Sequence, residues 1–133
     1  MNLWDPQRIL VEDYLGGKHG SRVVYPALKR RLSNGTTTAV ARFAANNELC
    51  YVSERPEQRN KFLDYLCNMV SAFGHEMAPV KDGFEITNAN GSKHRVVAVG
   101  GADACAMTTF VEDGEPVECE APLVVRKQVY YRK

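Results

Sequence analysis

The sequence predicts an α/β fold, and three observations carry that expectation. Residues 22–46 read as a strand, a tight turn and a helix, and residues 49–74 repeat the order of strand and helix. Residues 84–99 are two strand-like halves meeting at Asn90-Gly91, a dipeptide suited to the two positive φ angles of a hairpin turn. Together they describe a small three-layer sheet with flanking helices and a β-hairpin, forming one domain over residues 1–133. A chain of 133 residues with 44% apolar and 25% charged side chains suits that size, burying about two-thirds of its unfolded surface.

Asp5 can cap a first helix with Pro6 at its first position. Ile9, Leu10 and Tyr14 give it an apolar face, and Gly16-Gly17 ends it. Arg22 to Leu28 is rich in β-branched and apolar residues, but Pro26 removes a ladder donor and assigns the strand to an edge. From Thr36, Val40, Phe43 and Ala44 recur at helical spacing until Asn46-Asn47, and Leu49 to Ser53 is a short buried strand. Pro56 opens the next helix, whose apolar stripe is Phe62, Leu66, Met69, Val70 and Phe73, with Gly74 as its stop. Beyond the hairpin, Gly100-Gly101 breaks the strand and Ala102 to Met107 makes a helical turn. Thr109 to Val111 and Leu123 to Tyr131 are the remaining strands.

A net charge of +1 gives no global attraction to nucleic acid or membrane. No apolar run reaches the roughly 20 residues that span a bilayer, and the first residues do not read as a signal peptide, so the expected location is intracellular and cytoplasmic. Cys50, Cys67, Cys105 and Cys119 show no metal-ligand spacing with one another or with the histidines, which predicts buried free thiols. His19, His75 and His94 sit in no nucleophile motif, which argues against a hydrolase.

Charge is unevenly placed. Lys29, Arg30 and Arg31 form one basic run; Arg126, Lys127, Arg132 and Lys133 form another, interleaved with Tyr130 and Tyr131. Cations beside stacking aromatics suit single-stranded nucleic acid, and they also occur in ordinary edge strands. Lys93, His94 and Arg95 read as a basic hairpin tip, open to a nucleic acid or to solvent. Glu112, Asp113, Glu115, Glu118 and Glu120 crowd nine residues and read as solvated strand and loop edges, with Asp113-Gly114 as a turn.

Residues 22–46 are the segment with chemistry in them. In a phosphate-binding loop, Gly-Lys-Ser/Thr opens the helix: backbone N–H groups cradle phosphate, the lysine reaches the outer phosphates and the hydroxyl holds magnesium. Here Gly35 is followed by Thr36, where the lysine belongs, and by Thr37, which keeps the hydroxyl position. A charge-assisted contact to phosphate contributes roughly 1.5–3 kcal/mol and also stabilises charge developing in transfer, so its loss harms turnover more than binding. The helix terminus itself still favours an anion at Gly35 to Thr37. The same letters also describe an ordinary helix start, with Ser33 or Asn34 as N-cap and Gly35 as a turn residue.

In this order of elements the chain resembles the N-terminal part of the P-loop ATPase domain of viral large terminases, the DNA-packaging motors, and more loosely the first lobe of P-loop helicases. Asp5-Pro6-Gln7-Arg8 looks like the family's opening P-x-Q helix, and Arg22 to Phe43 like its phosphate-loop strand and helix. Tyr51 to Leu66 looks like the second strand and helix, Phe84 to Gly101 like the hairpin before the acidic strand, and Phe110-Val111-Glu112-Asp113 like that strand. The resemblance implies nucleotide binding by Gln7 (on adenine), Lys29, Arg30, Gly35, Thr36 and Thr37, with Thr37 and Asp113 on magnesium. Lys29 or Arg30 stands where some terminases carry a displaced cation. ATP and magnesium are the implied cofactors.

The chain departs from that pattern at the lysine, and about 20 residues after Asp113 cannot hold a motor's remaining parts. The expected function is therefore a catalytically impaired or silent P-loop-like protein, viral in kind, acting through binding. Its expected partner is another protein, with DNA as a further possibility through Lys93, Arg95, Arg126, Lys127, Tyr130, Tyr131 and Arg132. The alternative is a weakly active nucleotide-binding subunit of a packaging or helicase machine.

Overall fold

The computed structural model describes residues 5–29, 35–101, 106–114 and 120–131. Among the described residues, seven strands form one sheet: β1 (Arg22–Lys29), β2 (Leu49–Val52), β3 (Glu76–Val80), β4 (Gly83–Thr87), β5 (Lys93–Val99), β6 (Thr109–Val111) and β7 (Val124–Tyr131). Their order across the sheet is β1-β7-β6-β2-β5-β4-β3. The run from β1 to β5 is parallel throughout, and β4 and β3 extend it as an antiparallel meander. The α/β class is as expected. Among the described residues β1 lies at an edge, with β7 as its one sheet neighbour, where Pro26 removes no ladder bond from an interior strand.

The helices do not sit on both faces of the sheet. α1 (Asp5–Ile9) leads into Leu10 and Leu15, which with α2 (Thr36–Asn46) and α3 (Pro56–Ala72) pack on one face, sharing a core with Tyr25, Tyr51, Ile86, Val96, Phe110 and Val125. The opposite face carries a smaller cluster of Cys50, Val52, Val111, Ala121 and Val124, to which no described helix contributes. The expected third layer is absent among the described residues. α2 packs tightly because its buried stripe is small: Ala39, Val40, Ala41, Ala44 and Ala45. β2, between two parallel neighbours, is buried at all four positions, as a strand covered on both faces must be.

Local departures from expectation have physical causes. α1 runs into a π-helical segment, Leu10–Tyr14, with Leu15 N–H donating to Leu10 O at 2.9 Å. That wider turn brings Leu10 and Leu15 onto the core and turns Ile9 out, 45% exposed, although an α-helical period places it inside. Phe73 falls beyond the end of α3 and is also exposed, so the core stripe ends at Val70. β3 escapes periodicity because it is an edge strand containing Pro79 and mostly exposed. The β4–β5 connection is the five-residue loop 88–92, in which only Gly91 has positive φ, so the two-residue turn is not formed. Gly83 is required by close approach, since a Cβ there would lie 2.0 Å from Val96 O. The expected helical turn at Ala102 to Met107 lies mostly outside the described residues. Cys50, expected as a free thiol, is disulfide-bonded; Cys67 is free, and Cys105 and Cys119 lie outside the described residues.

Candidate functional site

The path of the chain across the sheet reverses between β2 and β6: from β2 it proceeds toward β5, from β6 toward β7. In open α/β sheets the crevice beyond the carboxyl ends of the strands at such a switch point is where ligands bind. Here that edge gathers Ser53 to Arg55 after β2, Glu112 to Gly114 after β6, and the first turns of α2 and α3. Two polar clusters occupy it.

The inner cluster centres on Glu112, 6% exposed and therefore not the solvated acid expected. It follows Phe110 by two, one residue past the end of β6, and its carboxylate meets Thr37 and Gln58 on the helix face. Gln58 is on the same stripe of α3 as Phe62 and Leu66 and is likewise buried. Its Nε2 donates toward Tyr51 OH at 2.9 Å, Thr37 Oγ1 at 3.0 Å and Glu112 Oε1 at 3.2 Å. An amide has two N–H bonds for those three oxygens, which leaves the Thr37 hydroxyl to donate to Glu112 Oε1 at 3.5 Å. Burial, and next the charge of Glu112, pushes the Tyr51 phenol far above its ordinary value, outweighing the hydrogen bonds from Gln58 and Thr37. Tyr51 stays a neutral hydroxyl. Its ring is stacked on Phe62, with centroids 4.1 Å apart and planes within 1°.

Lys127 closes this cluster. It stands on β7 one register step beyond the pair Val111 and Arg126, beside Glu112, with its Nζ 3.1 Å from Glu112 Oε2 and side-chain exposures of 13% and 4%. That contact lacks hydrogen-bond alignment, so Oε2 is neutralised by proximity of charge and has no hydrogen bond of its own. Lys127, expected in a surface contact, is thus largely covered and paired with Glu112, because a strand alternates its faces and this lysine falls on the helix side.

The outer cluster is built on Asp113. Its carboxylate accepts from Ser53 Oγ at 2.9 and 3.0 Å, from the Glu54 N–H at 2.8 Å and from Arg55 Nε at 2.9 Å. Arg59 Nη1 donates to Ser53 O at 2.7 Å, fastening the same loop to α3. Burial alone would raise the Asp113 carboxyl, but the Arg55 guanidinium, the Glu54 amide and the Ser53 hydroxyl together hold it below its ordinary value of 3.8. The folded state therefore favours the charged form, so the resulting stability is present above that ordinary value and is lost as pH falls through the lowered one. Arg55 is half-exposed, which keeps the pair modest. Asp113→Asn is expected to cost about 1 kcal/mol or less at neutral pH and to flatten the loss of stability below about pH 4, measured by urea unfolding across pH.

The structure thus separates the expected magnesium pair. Thr37 meets Glu112, while Asp113 is turned to Ser53 and Arg55. Gly35 precedes α2 at φ 72°, a conformation that favours glycine, and its carbonyl accepts from Ala39 N–H at 3.0 Å. Gln7 Nε2 donates to that same carbonyl at 3.1 Å, so the expected adenine reader braces the start of α2. Thr36 is buried, 2% exposed. Lys29 ends β1 in register with Tyr131, and Tyr130 precedes it on β7, whereas Arg30 and Arg132 lie outside the described residues. Lys93 and Arg95 are exposed on β5, but both neighbour Glu85: Lys93 Nζ is 3.9 Å from its carboxylate and Arg95 pairs with it in register. His94 belongs to no basic tip; its Nε2 donates to Ala44 O at 2.7 Å on α2. Arg126 is half-buried.

Gln58, Tyr51 and Lys127 are the members of the inner cluster that sequence reasoning missed as a unit. The signal for Gln58 was present: the helical period that predicts Phe62 and Leu66 also predicts an inward side chain four residues earlier. Among the described residues no group of three or more His, Cys, Asp or Glu converges on a metal position, and no helix is long and apolar enough to cross a membrane. Comparison with protein-family models, with characterised proteins and with solved structures returned no match in any of the three.

Proposed function

We propose that the chain is a P-loop-like domain, terminase-like in ancestry, that does not turn over nucleotide and acts by binding another protein. The observation that carries this reading is the internal saturation of the Glu112 corner. A working P-loop holds magnesium between the hydroxyl that opens the helix and a carboxylate at the end of a buried strand. Thr37 and Glu112 have that relation, 3.5 Å apart, which supports the ancestry. The space beside them is already used: Oε1 faces Gln58 and Thr37, Oε2 faces the Lys127 ammonium. With threonine in place of the loop lysine as well, neither cation that phosphoryl transfer needs has a position.

Protein binding is favoured over nucleic acid because Lys127 is removed from the C-terminal basic run and Lys93 and Arg95 share Glu85. Among the described residues no strand pairs with the outer edge of β1, and Val24 and Val129 are exposed near it, which suits contact with another chain. Phosphate release from ATP with magnesium is the direct test. The wild-type rate is expected to equal that of Gly35→Val; a faster wild-type rate, lost in both Gly35→Val and Glu112→Gln, refutes the reading. DNA affinity is expected to be weak, with a slope near zero against the logarithm of salt concentration.

The relation of Thr37 to Glu112 favours one alternative, a weakly active nucleotide-binding subunit. Stabilisation by millimolar ATP that requires magnesium, and that weakens in Lys29→Ala or Arg30→Ala, is its signature in a melting experiment.

A further inference from the structure

We propose that the Lys127 ammonium is the resident counter-ion of Glu112 and closes this corner to divalent cations, the magnesium of the P-loop-like reading among them. That last clause rests on the proposed function; the rest stands on geometry alone. Glu112 is buried with one oxygen that no hydrogen bond satisfies, and a charged atom is the group that answers such an oxygen. Lys127 Nζ lies 3.1 Å from it. A magnesium ion bridging Thr37 and Glu112 requires oxygens at about 2.0–2.1 Å in near-octahedral array, and it would stand within a few ångströms of that ammonium. The two cations cannot share the corner.

The other acid at this edge does not relieve the conflict. Asp113 spends both carboxylate oxygens on Ser53, the Glu54 amide and Arg55, so it supplies no second carboxylate to the corner. The ion, the hydroxyl and the amide around Glu112 thus make a closed set: Lys127 on Oε2, Thr37 and Gln58 on Oε1. Removing only the ammonium leaves a buried carboxylate beside a hydroxyl, which is a hard-oxygen site of the kind manganese and magnesium take.

The test uses manganese alone as probe, with binding followed by the paramagnetic signal of free ion and by melting. Wild type is expected to show no manganese site and no shift. Lys127→Gln is expected to bind manganese at least about tenfold tighter than wild type and to melt higher in its presence, and Lys127→Gln with Glu112→Gln to lose both effects. A wild-type site abolished by Glu112→Gln overturns the proposal, as does a folded Lys127→Gln that takes no manganese. Should Lys127→Gln not fold in metal-free buffer, refolding in manganese decides: recovery of the native circular dichroism supports the proposal, and no recovery overturns it. Nucleotide does not enter these measurements, so failure of the proposed function, seen as phosphate release faster in wild type than in Gly35→Val, is distinguishable from failure here.

Discussion

Lys127→Met is expected to destabilise the domain by about 3–5 kcal/mol, the usual cost of removing one partner from a buried ion pair. Methionine keeps most of the aliphatic stem, so the loss is of charge more than of packing. Glu112 would be left with a side chain 4% exposed and an oxygen that neither water nor a hydrogen bond reaches. The second mutation separates cause from coincidence. Glu112→Gln removes the orphaned charge while keeping an acceptor for Gln58 and Thr37, so Lys127→Met with Glu112→Gln should recover most of the loss and show strong coupling in a double-mutant cycle. Urea unfolding gives the comparison, with an unchanged slope confirming that the same surface is exposed. A cost for Lys127→Met below about 1 kcal/mol would mean that the ammonium is solvated, as an exposed pair is, and that the corner is not closed.

The position of Lys127 is not legible in any local pattern, whereas the edge strand over Arg22 to Leu28 is. Pro26 has a local consequence, a missing donor, and that consequence alone assigns β1 to an edge whatever the rest of the fold does. The helix starting at Pro56 likewise declares itself through spacing within one segment. Lys127 sits among Arg126, Tyr130 and Tyr131, and composition treats the group as one basic surface. The face on which each residue falls depends on the register of β7 against β6 and β1, a relation among three distant segments that no local pattern contains. The same holds for Glu112, which looks like the first of five solvated acids until β6 is known to be interior. Thr37 stands out in the sequence because adjacent residues carry the pattern it resembles. The carboxylate expected beside it is Asp113, whereas its hydroxyl meets Glu112, and one position along an alternating chain is the opposite direction.

Phe62→Ala is expected to cost about 3–5 kcal/mol and to loosen the polar corner as well as the core. Phe62 is fully buried and lies flat against Tyr51, whose other ring neighbour is Phe110 at 6.1 Å. Removing the ring stacked on one side of Tyr51 leaves a cavity beneath the phenol that accompanies Gln58, Thr37 and Glu112. Two consequences can be told apart. The core loss should appear in any large-to-small change along the stripe, so Leu66→Ala should destabilise by a similar amount. The corner loss should be specific: in Phe62→Ala the Tyr51 phenol gains access to water, and its titration, followed by tyrosinate absorbance against a Tyr51→Phe control, should move down toward the ordinary tyrosine range. Leu66→Ala should leave that titration where it is. Phe62→Leu, which keeps most of the volume, should cost less than about 1.5 kcal/mol. If Phe62→Ala destabilises but Tyr51 titrates as before, the phenol is held by Gln58 and Glu112 without help from the ring beneath it, and the polar corner and the aromatic core are separate units.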